Sequence, residues 1–376
     1  MASERVELVY TGGGDGLPKN KKRTWSESEA QDKVTHVSVP PSVTVIETGA
    51  FQKCTALREV ELCDGLKRIK SDAFRGCSSI ERIVIPSTVT VIEAGSFQNC
   101  TTLREVELCD GLWCINSAAF KGCSSLERVV IPSTVEEIGT EAFTGCIRLV
   151  EVELCEGLRQ ISKNAFRRCR SLERISIPSS TKEIGKGAFD TCTNLRNVEL
   201  GHGLEIIEAW AFAICESLEH LVIPSNVKEI CGSILRDCTR LVHVELCEGI
   251  QKIGANAFMG CTSLELMRVS SSVTVIGSEV FHSCAQLRQL VLLGSLEYIP
   301  RTALKGCTSL EKIIVPPSLP RLRANTFDDC ILKDVDLNEG LKSIGRVFKN
   351  CKSLERIRAL FMACSGDFLT FLPPGF

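Results

Sequence analysis

At 376 residues the chain has the length of two or three globular domains, and 44% hydrophobic residues are ample for a core. A formal charge of −2 excludes the basic footprint expected of a nucleic-acid or anionic-membrane binder. No apolar run approaches the length of a membrane span.

The N-terminal segment, residues 1–33, reads as a polar cap or linker. It opens MASERVELVYTGGGDGL, with Glu4, Arg5 and Glu7 where a secretory signal needs an apolar run, so the expected location is cytoplasmic. The short apolar run from Val6 to Tyr10 is suited to cover the first coil of the repeats that begin at residue 34. Gly12, Gly13, Gly14 and Gly16 loosely resemble a phosphate loop, but no G-K-[ST] comes after them and a turn is the better reading. Lys19, Lys21, Lys22 and Arg23 form a basic cluster, read as solvated linker with a nuclear signal as the alternative.

From residue 34 to 359 the chain repeats. Of 21 cysteines, fourteen form one series: Cys54, Cys77, Cys100, Cys123, Cys146, Cys169, Cys192, Cys215, Cys238, Cys261, Cys284, Cys307, Cys330 and Cys351. Every step is 23 residues except the last, which is 21. Three residues before each cysteine stands phenylalanine, or leucine at Leu235 and Leu304. Apolar residues keep phase at three, six, eight, twelve and fifteen after it, as Leu126, Val129, Ile131, Val135 and Ile138 show. A fixed period of this length means units that cannot bury an apolar face alone and must stack. Segments such as LERIVIP and LREVEL predict a short parallel strand in each unit, fifteen in all, followed by a turn and an A-F-x-x-C segment that packs inward.

A second period overlies the first. Alternate units read V-E-L-C-[DE]-G, as at Cys63, Cys109, Cys155 and Cys247, and those between read I-P-S, as at Pro86, Pro132, Pro178 and Pro224, so the sequence period is 46. Units such as LERIVIPSTVTVIEAGSFQNC and LERVVIPSTVEEIGTEAFTGC resemble the BspA-like leucine-rich-repeat family, with its unit L-x-x-I-x-I-P-x-x-V-x-x-I-G-x-x-A-F-x-x-C. The resemblance implies a leucine-rich-repeat solenoid. It would be a curved stack of about 14 units, with a parallel β-sheet on the concave face and short helical or irregular turns on the convex side. It further implies roles in adhesion or protein recognition, and bacterial members include cell-surface adhesins.

The outward strand positions are those that can meet a partner. Five after the cysteine run Glu59, Arg82, Glu105, Arg128, Glu151 and Arg174, an alternating ladder that supports register. From Asn197 onward the ladder lapses, and Asn197, Glu199, His220, Val222, His243, Glu245, Leu266 and Arg268 form the candidate protein-binding surface. His220 and His243 fall on adjacent coils near Glu245, but zinc wants three or four convergent ligands, and a solvated pair is the better reading. No C-x-x-C occurs, and each thiol follows a buried ring, so the cysteine series reads as a reduced core ladder. None of the five histidines pairs with a nucleophile and an orienting carboxylate. The expected activity is therefore a non-catalytic protein-interaction scaffold, with an exported or cell-surface adhesin as the alternative. Its expected partner is a protein, with no catalytic residues, cofactor, metal, nucleic acid, membrane span or small-molecule substrate. The tail, residues 360–376, is apolar and reads as a terminal cap or as the start of a longer chain.

Overall fold

The structure, a computed structural model, describes residues 6–12 and 32–359, apart from 317, 324–325, 328–329, 338–340, 342 and 345–346. The basic cluster at Lys19, Lys21, Lys22 and Arg23, the glycines Gly13, Gly14 and Gly16, and the tail 360–376 lie outside the described residues. The chain forms two compact units, Met1–Leu195 and Arg196–Phe376.

Both units are stacks of 23-residue coils, a β-solenoid built from parallel strands. Each coil begins with a strand of three or four residues, such as Arg128–Ile131, whose side chains alternate out and in. Val129 and Ile131 are buried while Arg128 and Val130 face solvent, because period-two alternation lets one strand serve core and surface together. Arg128–Ile131 pairs in parallel with Glu151–Leu154, residue for residue at a spacing of 23. A turn leads to a two-residue strand such as Glu137–Ile138, which pairs with Cys114–Ile115 before it and Gln160–Ile161 after it. All fifteen recurring strands expected from the sequence, His36–Val39 to Arg356–Ala359, are present among the described residues. At the N-terminal end, Glu7–Val9 adds a parallel strand to His36–Val39, and Tyr10 lays its ring on Phe51 at 5.2 Å.

On the third side of each coil, of the short helical or irregular turns expected, the irregular kind is found, for among the described residues there is no helix. Instead the A-F-x-x-C segment runs as consecutive β-turns whose alternate N–H groups point along the stack. Gly49, Phe51 and Lys53 donate to the carbonyls of Ser71, Ala73 and Arg75 on the next coil, at 3.0, 2.7 and 2.7 Å. A helix would spend the same donors on its own carbonyls four residues back and leave the coils unstitched. From the Cys54 coil to the Cys284 coil the turns place two residues in the left-handed region, five before and one before the cysteine. Non-glycine residues occupy many of these places, among them Lys53, Asn99, Glu141, Arg168 and even Ile214. Each costs about 1–2 kcal/mol, which the inter-coil bonds offset.

Inside run two columns. Phe51, Phe74, Phe97, Phe120, Phe143, Phe166 and Phe189 are fully buried, and their successive rings stack 5.1–5.4 Å apart. The series cysteines are buried beside them. Their thiols do more than fill space: Cys100 Sγ donates to the carbonyl of Phe74 at 3.2 Å and Cys123 Sγ to that of Phe97 at 3.1 Å. The same contact recurs at Cys238 to Phe212 and Cys284 to Phe258, both 3.2 Å. Desolvation pushes these thiols up, to about 12 at Cys54, Cys100, Cys146, Cys238 and Cys284.

The 46-residue period has its own cause. Gly65, Gly111, Gly157 and Gly249 adopt φ of +111 to +115°, and a Cβ at Gly157 would lie 2.2 Å from the Ser133 carbonyl oxygen of the preceding coil. Each of these glycines donates its N–H to a hydroxyl on the following coil: Gly65 to Thr88 at 3.1 Å, Gly111 to Thr134 at 3.2 Å, Gly157 to Ser180 at 3.0 Å. The hydroxyl in turn donates to the next carbonyl, as Thr134 does to Leu112 at 2.7 Å. A glycine unit thus locks onto the Ser/Thr unit that follows it.

Candidate protein-binding face

The face formed by the longer strands differs in character along the chain. In the first unit it is a self-neutralising lattice. Arg82 reaches forward to Glu105 and Glu107 on the next coil, both at 3.2 Å, and Arg128 to Glu151 and Glu153, both at 3.4 Å. Arg174 also approaches Glu151, at 3.7 Å. The sequence shows the alternation, but one guanidinium gripping two carboxylates, five and seven after the cysteine, emerges only from the geometry. His36 opens the lattice: Thr35 Oγ1 lies 2.7 Å from its Nδ1, and Nε2 lies 2.9 Å from Glu59. All these groups are substantially exposed except His36, so each pair contributes at most about 1 kcal/mol, and the lattice chiefly fixes surface chemistry.

In the second unit the same strand positions carry the candidate residues, and the structure sets all eight outward. Asn197 and Glu199 lie on Asn197–Glu199, His220 and Val222 on His220–Ile223, His243 and Glu245 on His243–Leu246, and Leu266 and Arg268 on Leu266–Val269. His220 stands opposite His243 in register, with ring centroids 6.4 Å apart and planes tilted by 56°. Val222 stands opposite Glu245. Leu266 and Arg268 pair forward, with Gln289 and Val291. Val222 is 50% exposed and Leu266 37%. Between them sits Val242, 42% exposed, which the period does not single out because its position carries charge in neighbouring coils: Glu219 before it, Glu265 after. Exposed aliphatic side chains and two imidazoles therefore share one patch, bordered by Glu199, Glu245, Arg268 and the Arg240–Glu219 pair at 3.3 Å. Burial, and then the Glu245 carboxylate, push the adjoining Cys247 thiol up.

Among the described residues no group of three His, Cys, Asp or Glu side chains converges as metal ligands would, and no helix is long and apolar enough to cross a membrane. A cavity of about 640 Å³ lies on the short-strand side of the second unit, lined by Glu205, Ile206, Asn226, Lys228, Glu229 and Cys231. It holds none of the candidate residues.

Comparison with known proteins adds the context. The sequence profile of the BspA type leucine rich repeat region matches in six copies, over residues 28–150, 114–242 and 235–355. A leucine-rich repeat protein from Bacteroides ovatus is 26% identical, with a TM-score of 0.65 over 88% of this chain and 84% of that one. A leucine rich cell surface protein from Faecalibacterium prausnitzii is 22% identical, with a TM-score of 0.40 over 96% and 92%. A leucine rich repeat protein from T. pallidum is 27% identical, with a TM-score of 0.41 over 58% and 82%. No curated protein matches the chain.

Proposed function

The chain belongs to the BspA-type leucine-rich-repeat family, and from that premise we propose that it is a non-catalytic recognition module that binds a protein through its longer-strand face between about Asn197 and Arg268. The observation that carries this is the contrast along the face. Docking on the lattice of Arg82, Arg128 and their glutamates would desolvate charges that already have partners. The Val222, Val242 and Leu266 patch, with two imidazoles and Arg268, offers the mixed composition that interface centres use.

The module works in a reducing compartment, the cytoplasm. The thiol columns support this, because Cys100, Cys123, Cys238 and Cys284 serve as S–H donors, a role that requires the reduced, protonated form. The adhesin alternative would place the same columns in an oxidising medium. With a partner recovered by proximity labelling, His220, His243, Leu266 and Arg268 are substituted together, and Glu59, Arg82, Glu105 and Arg128 as the control set. The patch set should weaken binding by at least about tenfold. A larger loss from the control set would overturn the assignment.

A further inference from the structure

Glu245 in the patch lacks what the fold supplies to two of its equivalents, Glu107 and Glu153. Arg82, Arg128 and His220 occupy the same place in three coils, each paired in register with the residue 23 further on. The neighbouring column repeats as well, with Val84 opposite Glu107, Val130 opposite Glu153 and Val222 opposite Glu245. In the first two coils the guanidinium crosses forward and holds that glutamate, Arg82 to Glu107 at 3.2 Å and Arg128 to Glu153 at 3.4 Å. Arg174, at the same place between Arg128 and His220, instead turns back to Glu151 at 3.7 Å, and at His220 an imidazole stands where the guanidinium would be. A histidine here can take over part of the task, as His36 does by reaching Glu59 at 2.9 Å, but the residue equivalent to Glu59 is His243, which offers no carboxylate. Glu245 is left with no ion-pair partner among the described residues. Arg268, one coil on in the same column, makes no ion pair with it either.

We infer that the partner supplies the missing cation: an extended protein segment whose arginine enters beside His220 and Val222 and takes on Glu245 the place that Arg82 and Arg128 take on Glu107 and Glu153. The inference rests on the docking reading above and adds the chemistry of the occupant. Charge complementarity selects a cation. The repeat selects arginine over lysine, because the geometry it must match is that of a planar fork shared between two acceptors, with the His243 ring standing in for the second. The flanking surface specifies the next contact. Leu266 and Val242 are exposed one coil or less beyond Glu245. Adjacent and next-adjacent strands are about 5–10 Å apart, and extended chain covers about 3.3 Å per residue. An apolar side chain two or three residues from the arginine therefore lands on Leu266. The occupant has the form Arg-x-Φ or Arg-x-x-Φ, read in either direction, where Φ is a large aliphatic or aromatic residue.

The test uses the full chain and a randomised peptide display library, selected on the wild-type protein and counter-selected on H220R, which restores the internal guanidinium. Enriched peptides should carry arginine with an apolar residue two or three positions away. In fluorescence anisotropy they should lose about tenfold or more in affinity when that arginine becomes citrulline, and similarly on H220R and on Glu245→Gln. Enriched peptides without arginine, equal binding of the citrulline form, full binding to H220R, or no enrichment at all would each overturn the inference. Two further variants separate it from the docking reading. Peptides lost on Leu266→Asp but indifferent to citrulline leave the patch standing and remove only the cation. Peptides lost on Arg82→Ala and Arg128→Ala but retained on Leu266→Asp remove the patch itself.

Discussion

Raising the pH should unfold this protein long before its buried series thiols ionise. Cys54, Cys100 and Cys146 in the first unit are held to about 12 by burial, and Cys77, Cys123 and Cys169 also lie well above the ordinary value. In the unfolded chain a thiol titrates near 8.5. The native pKa is the raised one, so the stabilisation is fully present below about pH 8.5 and is lost as pH climbs toward about 12. At about pH 10 the unfolded thiol is roughly 1.5 units beyond its midpoint while the native one remains protonated, a difference of about 2 kcal/mol per thiol. The three thiols at about 12 in the first unit then remove about 6 kcal/mol, before the more strongly shifted ones are counted. A domain has about 5–15 kcal/mol in all. The assay is thermal melting by circular dichroism across the alkaline range, in reductant, with the thiolate absorbance followed in parallel. Melting temperature should fall steadily above about pH 8.5, and the thiolate absorbance of the fourteen series cysteines, taken after subtracting that of the cysteines outside the series, should appear only with loss of structure. A flat melting temperature to about pH 10.5, or series thiols ionising near the ordinary thiol pKa while the dichroism stays native, would mean the columns are not buried as described.

Two further perturbations probe the frame. Phe120 stacks between Phe97 and Phe143, both at 5.3 Å, with no exposed surface, so Phe120→Ala should cost about 3–5 kcal/mol in denaturant unfolding, and unchanged stability would mean the column has been misplaced. Gly157→Ala should cost about 1–3 kcal/mol or more, because φ is +114° and the new Cβ meets the Ser133 carbonyl at 2.2 Å; Gly145→Asn, at an ordinary left-handed place with 3.9 Å of clearance, should stay within about 1 kcal/mol.

What the sequence shows and what it hides divide along a physical line. The apolar phase is legible because burial is chemically selective: Phe120, Leu126, Val129 and Ile131 recur wherever a side chain must leave water. The outward series comes from the same alternation, so Glu105 and Arg128, and later His220 and Leu266, can be placed on a face from the period alone. The turns are illegible because their specificity lies in the backbone. The left-handed places accept Lys53, Glu141, Arg168 or Ile214 alike, since N–H groups bonding to the next coil hold the conformation whatever the side chain. Nor does the apolar phase reveal that cysteine is chosen as a donor, for a thiol and a small alkyl group fill the same volume; only the Phe97 carbonyl at 3.1 Å from Cys123 Sγ tells them apart. Val242 is hidden because its neighbours in the period are charged.

The coils are joined in two alternating ways, and both lapse in the same stretch. A Ser/Thr unit is tied to the glycine unit after it by the arginine grip on the face, and a glycine unit to the Ser/Thr unit after it by the hydroxyl lock. In the second unit the lock at 226 is replaced by Asn226, whose amide donates to the His202 carbonyl at 2.8 Å, and the grip at 220 is replaced by a histidine that holds no carboxylate. The hydroxyl lock resumes at Gly249 and Ser272, 3.0 Å apart. Exposed valines occur in both units, Val84, Val130 and Val150 in the first and Val222 and Val242 in the second, but Leu266, 37% exposed, stands in the column that carries Arg82 and Arg128. The two kinds of joint thus change together in one interval, where an arginine column gives way to His220 and Leu266. The proposed docking between Asn197 and Arg268 rests on that change: the regular lattice would have to give up paired charges, whereas His220, His243 and Leu266 hold none among the described residues.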